Sequence, residues 1–297
     1  MHRDSFRLTA KEGQKNIAKG LLFIAGSLSF LLFMRIDPGQ TPWTVTQLLL
    51  SVLAGFGISI LLVGLGVLGH EAMHRNLHPN KKINDFFGVA FSTASLLPFY
   101  AGKKIHLSHH QLAHTGENDP EYFFHRGSPI LFVLFGAIRY SQLHFNELFS
   151  QIMHWQNLNR RVKREVFYDL FSMIVAFLFV AIFVHSLNIS ALLALLGFHL
   201  TLPLVFSARY AADHRGLPSH TQHQKNQAHA WVVKTHPILE WIWSHINYHG
   251  VHHMYPAIPH GKLKTKFELT QHNITYPTLD RGYVRSMPYL LKKPYFA

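Results

Sequence analysis

Cysteine is absent from the 297 residues, which excludes a disulfide framework, thiolate metal ligands and a thiol nucleophile. Charge is scarce as well: 14% of residues are Asp, Glu, Lys or Arg, and only 15 are acidic. Any metal must therefore be held by histidine, helped by carboxylates, amides or water. No flavin, haem or iron-sulfur motif is recognisable, so redox chemistry would need electrons from outside the chain. No cleavable leader is expected, because the first apolar run starts only near Ile17 behind a mixed-charge segment and is not followed by a small-residue cleavage site. Internal repeats, low-complexity tracts and long linkers are lacking, so residues 1–297 read as one domain.

What is abundant is apolar sequence, 48% of the chain, arranged in long runs. Four runs are long enough to cross a bilayer as helices, at about 17–36, 45–69, 166–186 and 189–212. Asp37-Pro38-Gly39 turns the first pair, and Ser186-Leu187-Asn188 links the second. The expected fold is an all-α integral membrane protein with four transmembrane helices in two hairpins. A cytoplasmic helical cap, 70–165 and 213–297, carries the functional site. Ile83 to Tyr100 reads as re-entrant or interfacial, because a crossing there would put His70 and His106 on opposite faces. Pro129 to Ile138, too short to cross, is placed along the membrane surface.

The formal charge of +13 would suggest nucleic acid in a soluble protein. Here the basic residues flank apolar spans, so the expected counterparts are anionic lipid and an acidic protein partner, with no nucleic acid. On the four-span topology only Arg35 lies on the outer side, which places both termini and the site on the cytoplasmic side. Trp231, Trp241 and Trp243 suit the headgroup level, and the basic tail after Pro259 is expected to fold over the site.

Histidine is the other surplus, 24 residues against 15 acids. His249, His252 and His253 stand at i, i+3 and i+4, close together if the segment is helical. His106, His109 and His110 repeat the pattern, and His70 and His74 stand at i, i+4. One tetrahedral zinc takes at most four ligands, so eight imidazoles on one membrane face are best explained by two metals. A neutral nitrogen shell with open positions suits non-haem iron that binds dioxygen, though spacing does not exclude another transition metal.

His-X3-His, His-X2-His-His and His-X2-His-His, in this order around two apolar pairs, resemble the membrane fatty acid desaturases and their hydroxylase and ketolase relatives. Asn247-Tyr-His-Gly-Val-His-His-Met-Tyr-Pro256 carries the resemblance most specifically, with Glu117-Asn-Asp-Pro-Glu121 and Asp213-His214-Arg-Gly-Leu-Pro218 beside it. It covers roughly residues 45 to 262. The resemblance implies a pair of iron ions, dioxygen as co-substrate, a lipid or acyl-thioester substrate, and ferredoxin or cytochrome b5 as electron donor. It also implies a ninth ligand, His214. Animal acyl-CoA desaturases have Asn four residues before that histidine where this chain has Tyr210, which leaves the tenth coordination position open.

Glu71, Glu117, Asp213 and Asn247 are the candidates for supporting the ligands, Asp213 and Glu117 by accepting the second imidazole N–H. His78 is at best such a supporter, because Pro79 ends its helix. His114 and His125 read as loop residues, His199 as packed within the fourth span, and His220, His223, His229 and His236 as solvated. The leading expectation is an O2-dependent fatty acid desaturase. The nearest alternative is hydroxylation or ketolation of a carotenoid or other lipid at the same site. A remote one is an intramembrane zinc protease, because His70-Glu71-Ala72-Met73-His74 fits His-Glu-X-X-His.

Overall fold

The computed structural model describes residues 6–35, 45–113, 115–125, 128–185, 189–217 and 227–292. In chain order the helices are α1 (Ala10–Arg35), α2 (Val45–Met73), α3 (Lys81–Ala94), α4 (Phe99–Leu112), α5 (Tyr122–His125), α6 (Pro129–Met153), α7 (Arg160–His185) and α8 (Ile189–His214). The short α9 (Pro237–Ile242), α10 (His249–Met254), α11 (Leu263–Thr270) and α12 (Gly282–Lys292) follow. Against the all-helical expectation, Val232–Val233 (β1) pairs in parallel with Thr278–Leu279 (β2), extended by a bridge between Gln227 and Thr275. The turns at 36–44 and 186–188 lie outside the described residues.

Among the described residues, three helical stretches are long and apolar enough to cross a membrane: Ala10–Leu32, Leu49–Met73 and Arg160–Phe183. Helix α1 starts seven residues before the apolar run because Thr9 and Glu12 form a capping box: the Thr9 N–H donates to Glu12 Oε2 at 2.7 Å, and the Glu12 N–H to Thr9 Oγ1 at 3.2 Å. Helix α7 likewise starts before Val166, because the Asn159 side chain accepts the N–H groups of Arg161 and Val162, both at 3.0 Å. The segment from Pro129 does not stop at Ile138. It continues to Met153 as α6, because a buried stripe of Phe132, Gly136, His144, Leu148 and Gln151 runs on at helical spacing.

Register follows from close contacts at glycine. On α2, Gly64 faces Phe23, Leu61 faces Gly26 and Gly57 faces Phe30, so α1 and α2 run in opposite directions. A Cβ on Gly55 would come within 2.3 Å of Phe198 N, and one on Gly197 within 2.6 Å of Ser51 O. One turn on, Ser59 Oγ and Thr201 Oγ1 lie 2.9 Å apart, so α2 and α8 run in parallel and end side by side.

Helix α3 then retraces α2: Gly88 lies on Ala72, Ser92 on Gly69, and the Ser95 hydroxyl donates to Leu62 O at 3.3 Å. Leu96, at φ 55°, turns the chain, and α4 climbs back beside its predecessor. Retracing 11 residues of helix lowers the turn by about 16 Å along α2. His70 and His106 are thereby returned to the same end.

Trp231 and Trp243 are buried in the main core instead of lying at a surface, while Trp241 is half exposed against Phe23. The carboxy-terminal segment closes over the end of α2, where Asn76 Nδ2 donates to Pro256 O at 2.9 Å and Ile258 O at 3.3 Å.

Candidate metal centre

All four histidine-bearing segments meet at one end of the bundle. His70 lies within the last turn of α2 and His74 just beyond it; His214 is the last residue of α8; the other six stand on α4 and α10. The i, i+3, i+4 spacing divides each triplet. His106 and His110 share one face of α4 while His109 looks elsewhere, and on α10 His249 and His253 share a face that His252 does not.

The result is two groups. In the first, His70, His74, His106, His110 and His252 bring one nitrogen each within 4.8 Å of one another. His74 and His106 Nε2 are 2.7 Å apart, His106 and His110 3.0 Å, and His110 and His252 3.1 Å. In the second, His109, His214 and His253 do the same. His249 joins them, its Nε2 3.1 Å from those of both His214 and His253.

These contacts are more than hydrogen bonds can use. An imidazole Nε2 carries either one proton or one lone pair, yet those of His106, His110, His214 and His249 each face two others. Both ring nitrogens of His70 are buried without a hydrogen bond. Convergent, desolvated lone pairs are costly alone and suited to a cation. Burial, reinforced by neighbouring imidazoles, pulls His74 down to about 3 and holds His106, His110, His252 and His253 well below the ordinary histidine range. His249 is lowered by burial and by Arg209. These rings are neutral at pH 7, the form that ligates.

His109 goes the other way. Burial would lower it, but Glu121 and Asp119 outweigh that and raise it to about 9. Its Nδ1 lies 2.9 Å from Asp119 Oδ1, which fixes the proton there and leaves Nε2 facing the group. The carboxylate against His109 is thus Asp119, which is buried, whereas Glu117 is exposed. Asp213 also differs from expectation. It pairs with buried Arg209 at 2.9 Å and approaches only the Nε2 of His249, at 3.9 Å. His214 Nδ1 instead lies 3.1 Å from the main-chain oxygen of His229, a half-buried residue expected to be solvated.

Glu71 sits with Oε1 3.4 Å from His70 Nδ1, while Oε2 accepts the His260 main-chain N–H at 3.1 Å and lies 3.3 Å from His260 Nδ1. The tail after Pro259 is thus tied to the first group. Asn247 Nδ2 donates to Val233 O and Glu240 Oε1, bracing the turn before α10.

His78 stays apart, its Nδ1 accepting the Asn80 N–H at 3.0 Å. His236 is exposed, and His199 is exposed beside Phe198. His114, His220 and His223 lie outside the described residues, as does the His125 side chain. Tyr210 packs among Phe124, Tyr140 and Phe206. Sequence reasoning missed Asp119, His260 and the His229 carbonyl. Only Asp119 left a trace, as the acid inside Glu117-Asn-Asp-Pro-Glu121.

Membrane-length helices that gather buried, cysteine-free imidazole clusters at one end define a membrane protein with a site suited to nitrogen-ligated metal. The chain belongs to the fatty acid desaturase family, whose model matches residues 42–282. It is 24% identical over 275 residues to sn-1 oleoyl-lipid 12-desaturase of Anabaena variabilis, covering 84% of this chain and 77% of the relative. Identity to the chloroplastic omega-6 fatty acid desaturase of Arabidopsis thaliana is 25% over 282 residues, 86% of this chain and 59% of that protein. A zeaxanthin 4-ketolase of Chlamydomonas reinhardtii is 34% identical over 105 residues, 35% of this chain and 23% of the ketolase. Family membership marks the chain as an oxidoreductase of lipid metabolism.

Proposed function

We propose that the chain is a membrane-bound diiron desaturase that uses dioxygen and two externally supplied electrons to place a double bond in the acyl chain of a lipid or acyl thioester. The observation that carries this reading is the division of nine imidazoles into groups of five and four. Bound there, a pair of irons would activate dioxygen, whose reduction to water supplies the oxidising power to remove two hydrogens from unactivated methylenes. His70, His74, His106, His110 and His252 would hold one iron, and His109, His214, His249 and His253 the other.

The chain's own contribution is orientation and dryness. Asp119 keeps the His109 proton on Nδ1, the His229 carbonyl turns His214, and Glu71, beside His70, ties the end of α2 to the covering tail. Burial limits water at the reacting centre.

In this reading α8 is the fourth span, forming a second hairpin with α7, and both termini and the site face the cytoplasm. The excess of 28 basic over 15 acidic residues then faces the cytoplasm too and suits an acidic donor, ferredoxin or cytochrome b5. Donor-dependent turnover should fall as ionic strength rises.

The ketolase match supports a second reading, oxygen insertion into a carotenoid or other lipid by the same centre. Expression in a host of simple lipid composition, with mass spectrometry of acyl chains and pigments, separates the two. A product two hydrogens lighter bears out the desaturase, whereas an added oxygen with no new alkene replaces it. Metal analysis of purified protein is the companion test: two irons per chain are expected, and one zinc without iron would favour the protease.

A further inference from the structure

Helix α4 carries three of the nine imidazoles, and it begins below the site, at the turn where the chain reverses beside the middle of α2. A helix start exposes N–H groups that its own backbone cannot satisfy, and in hydrocarbon no water replaces them. The residue at the capping position is Pro98, which has no side chain able to accept. The missing acceptor comes from another helix. Asp169 of α7 is fully buried, and its Oδ1 accepts the Tyr100 N–H at 3.0 Å while Oδ2 accepts that of Ala101 at 2.8 Å. Those are the second and third helical residues, the two donors that a capping side chain normally takes.

Asp169 lies nine residues into α7, about 13 Å along a stretch of membrane-crossing character. Ionisable groups at such depth are expensive and persist where they are paired or functional. Among the described residues no cation forms an ion pair with Asp169. Its partners are the α4 amides, where the positive end of the helix dipole favours a carboxylate. Packing reinforces the join, because Val166 and Ala101 share one buried cluster and the rings of Tyr100 and Tyr168 stack at 6.4 Å.

We infer that Asp169 is a positioning residue for the metal centre, capping α4 from a neighbouring helix and so fixing the height of His106, His109 and His110. This rests on the diiron reading. From Ala101 to His106 is less than one and a half helical turns, so a shift at the capped end reaches the imidazoles undamped. Because His109 serves one group and His106 and His110 the other, both irons should respond together.

The test compares full-length wild type, Asp169→Asn and Asp169→Leu, purified in detergent from iron-supplemented cells. Iron per chain, nitrogen ligation by X-ray absorption and helix content by circular dichroism are measured for each. Asp and Asn are isosteric, so packing alone predicts equal iron for that pair. The capping role predicts a graded loss at unchanged helix content: Asn, keeping one acceptor and no charge, falls about twofold, and Leu, with no acceptor, about fivefold or more. Wild-type iron content and ligation in Asp169→Asn would overturn the inference, and that variant decides alone if the leucine protein does not accumulate. An iron-free wild type would instead sink the diiron reading.

Discussion

Glu117 and Asp119 stand two residues apart in one acidic loop, yet only the second reaches a ligand. On the diiron reading, replacing Asp119 with Asn should lower iron affinity or turnover about 10- to 100-fold, because the neutral amide oxygen holds the His109 Nδ1 proton less strongly than the carboxylate does. Glu117→Ala, at an exposed position, should stay within roughly twofold, as lipid profiles of the two variants would check. Lys19 presents a different single-residue case. It is buried within α1, its ammonium on the Trp241 carbonyl and 2.8 Å from Ser244 Oγ. It therefore fastens α1 to the left-handed pair Ser244 and His245 that leads into α10. Lys19→Met should cost about 1–3 kcal/mol by stranding those acceptors, read as a lowered melting temperature in detergent. None of these partners could be named from spacing, because each joins residues that no local periodicity relates.

At the level of helices, the crossing of α2 and α8 depends on two glycines that bring backbones together. Gly55→Val should force the pair apart and separate His70 and His74 from His214, with loss of folded protein and, on the diiron reading, of iron. Gly66→Ala, on the same helix with no atom within 4 Å of the added Cβ, should be neutral or gain up to about 1 kcal/mol. The apolar runs showed where the long helices lie but not where they begin, since α1 and α7 start at the polar caps Thr9 and Asn159. Helix α6 outruns its apolar stretch, which stops before Arg139, because its buried stripe continues to Gln151. The retracing path of α3 and α4 was legible from one requirement alone, that His70 and His106 share a face. His214 became readable only through family resemblance, because a lone histidine at a helix end has no pattern of its own.

For the molecule as a whole, the centre sets a pH window for the metal-free protein. His74, His106, His110, His249, His252 and His253 have lowered folded values, so below about pH 6.5 the unfolded chain takes up protons that the folded chain refuses. Stability should therefore fall as pH drops from 7 to 5. His109, raised to about 9, contributes oppositely: its share is complete below about pH 6.5 and is lost as pH rises through 9. Melting curves of chelator-stripped protein should show a maximum between these limits, and a melting temperature unchanged from pH 7 to 5 would contradict it. The parallel course of α2 and α8 has one more effect. Together with α4, they bring three helix carboxyl termini to the same place, each equivalent to roughly half a negative charge. Imidazoles bring no charge of their own to a cation, so on the diiron reading these peptide dipoles would join the buried carboxylates of Asp119 and Glu71 in answering it.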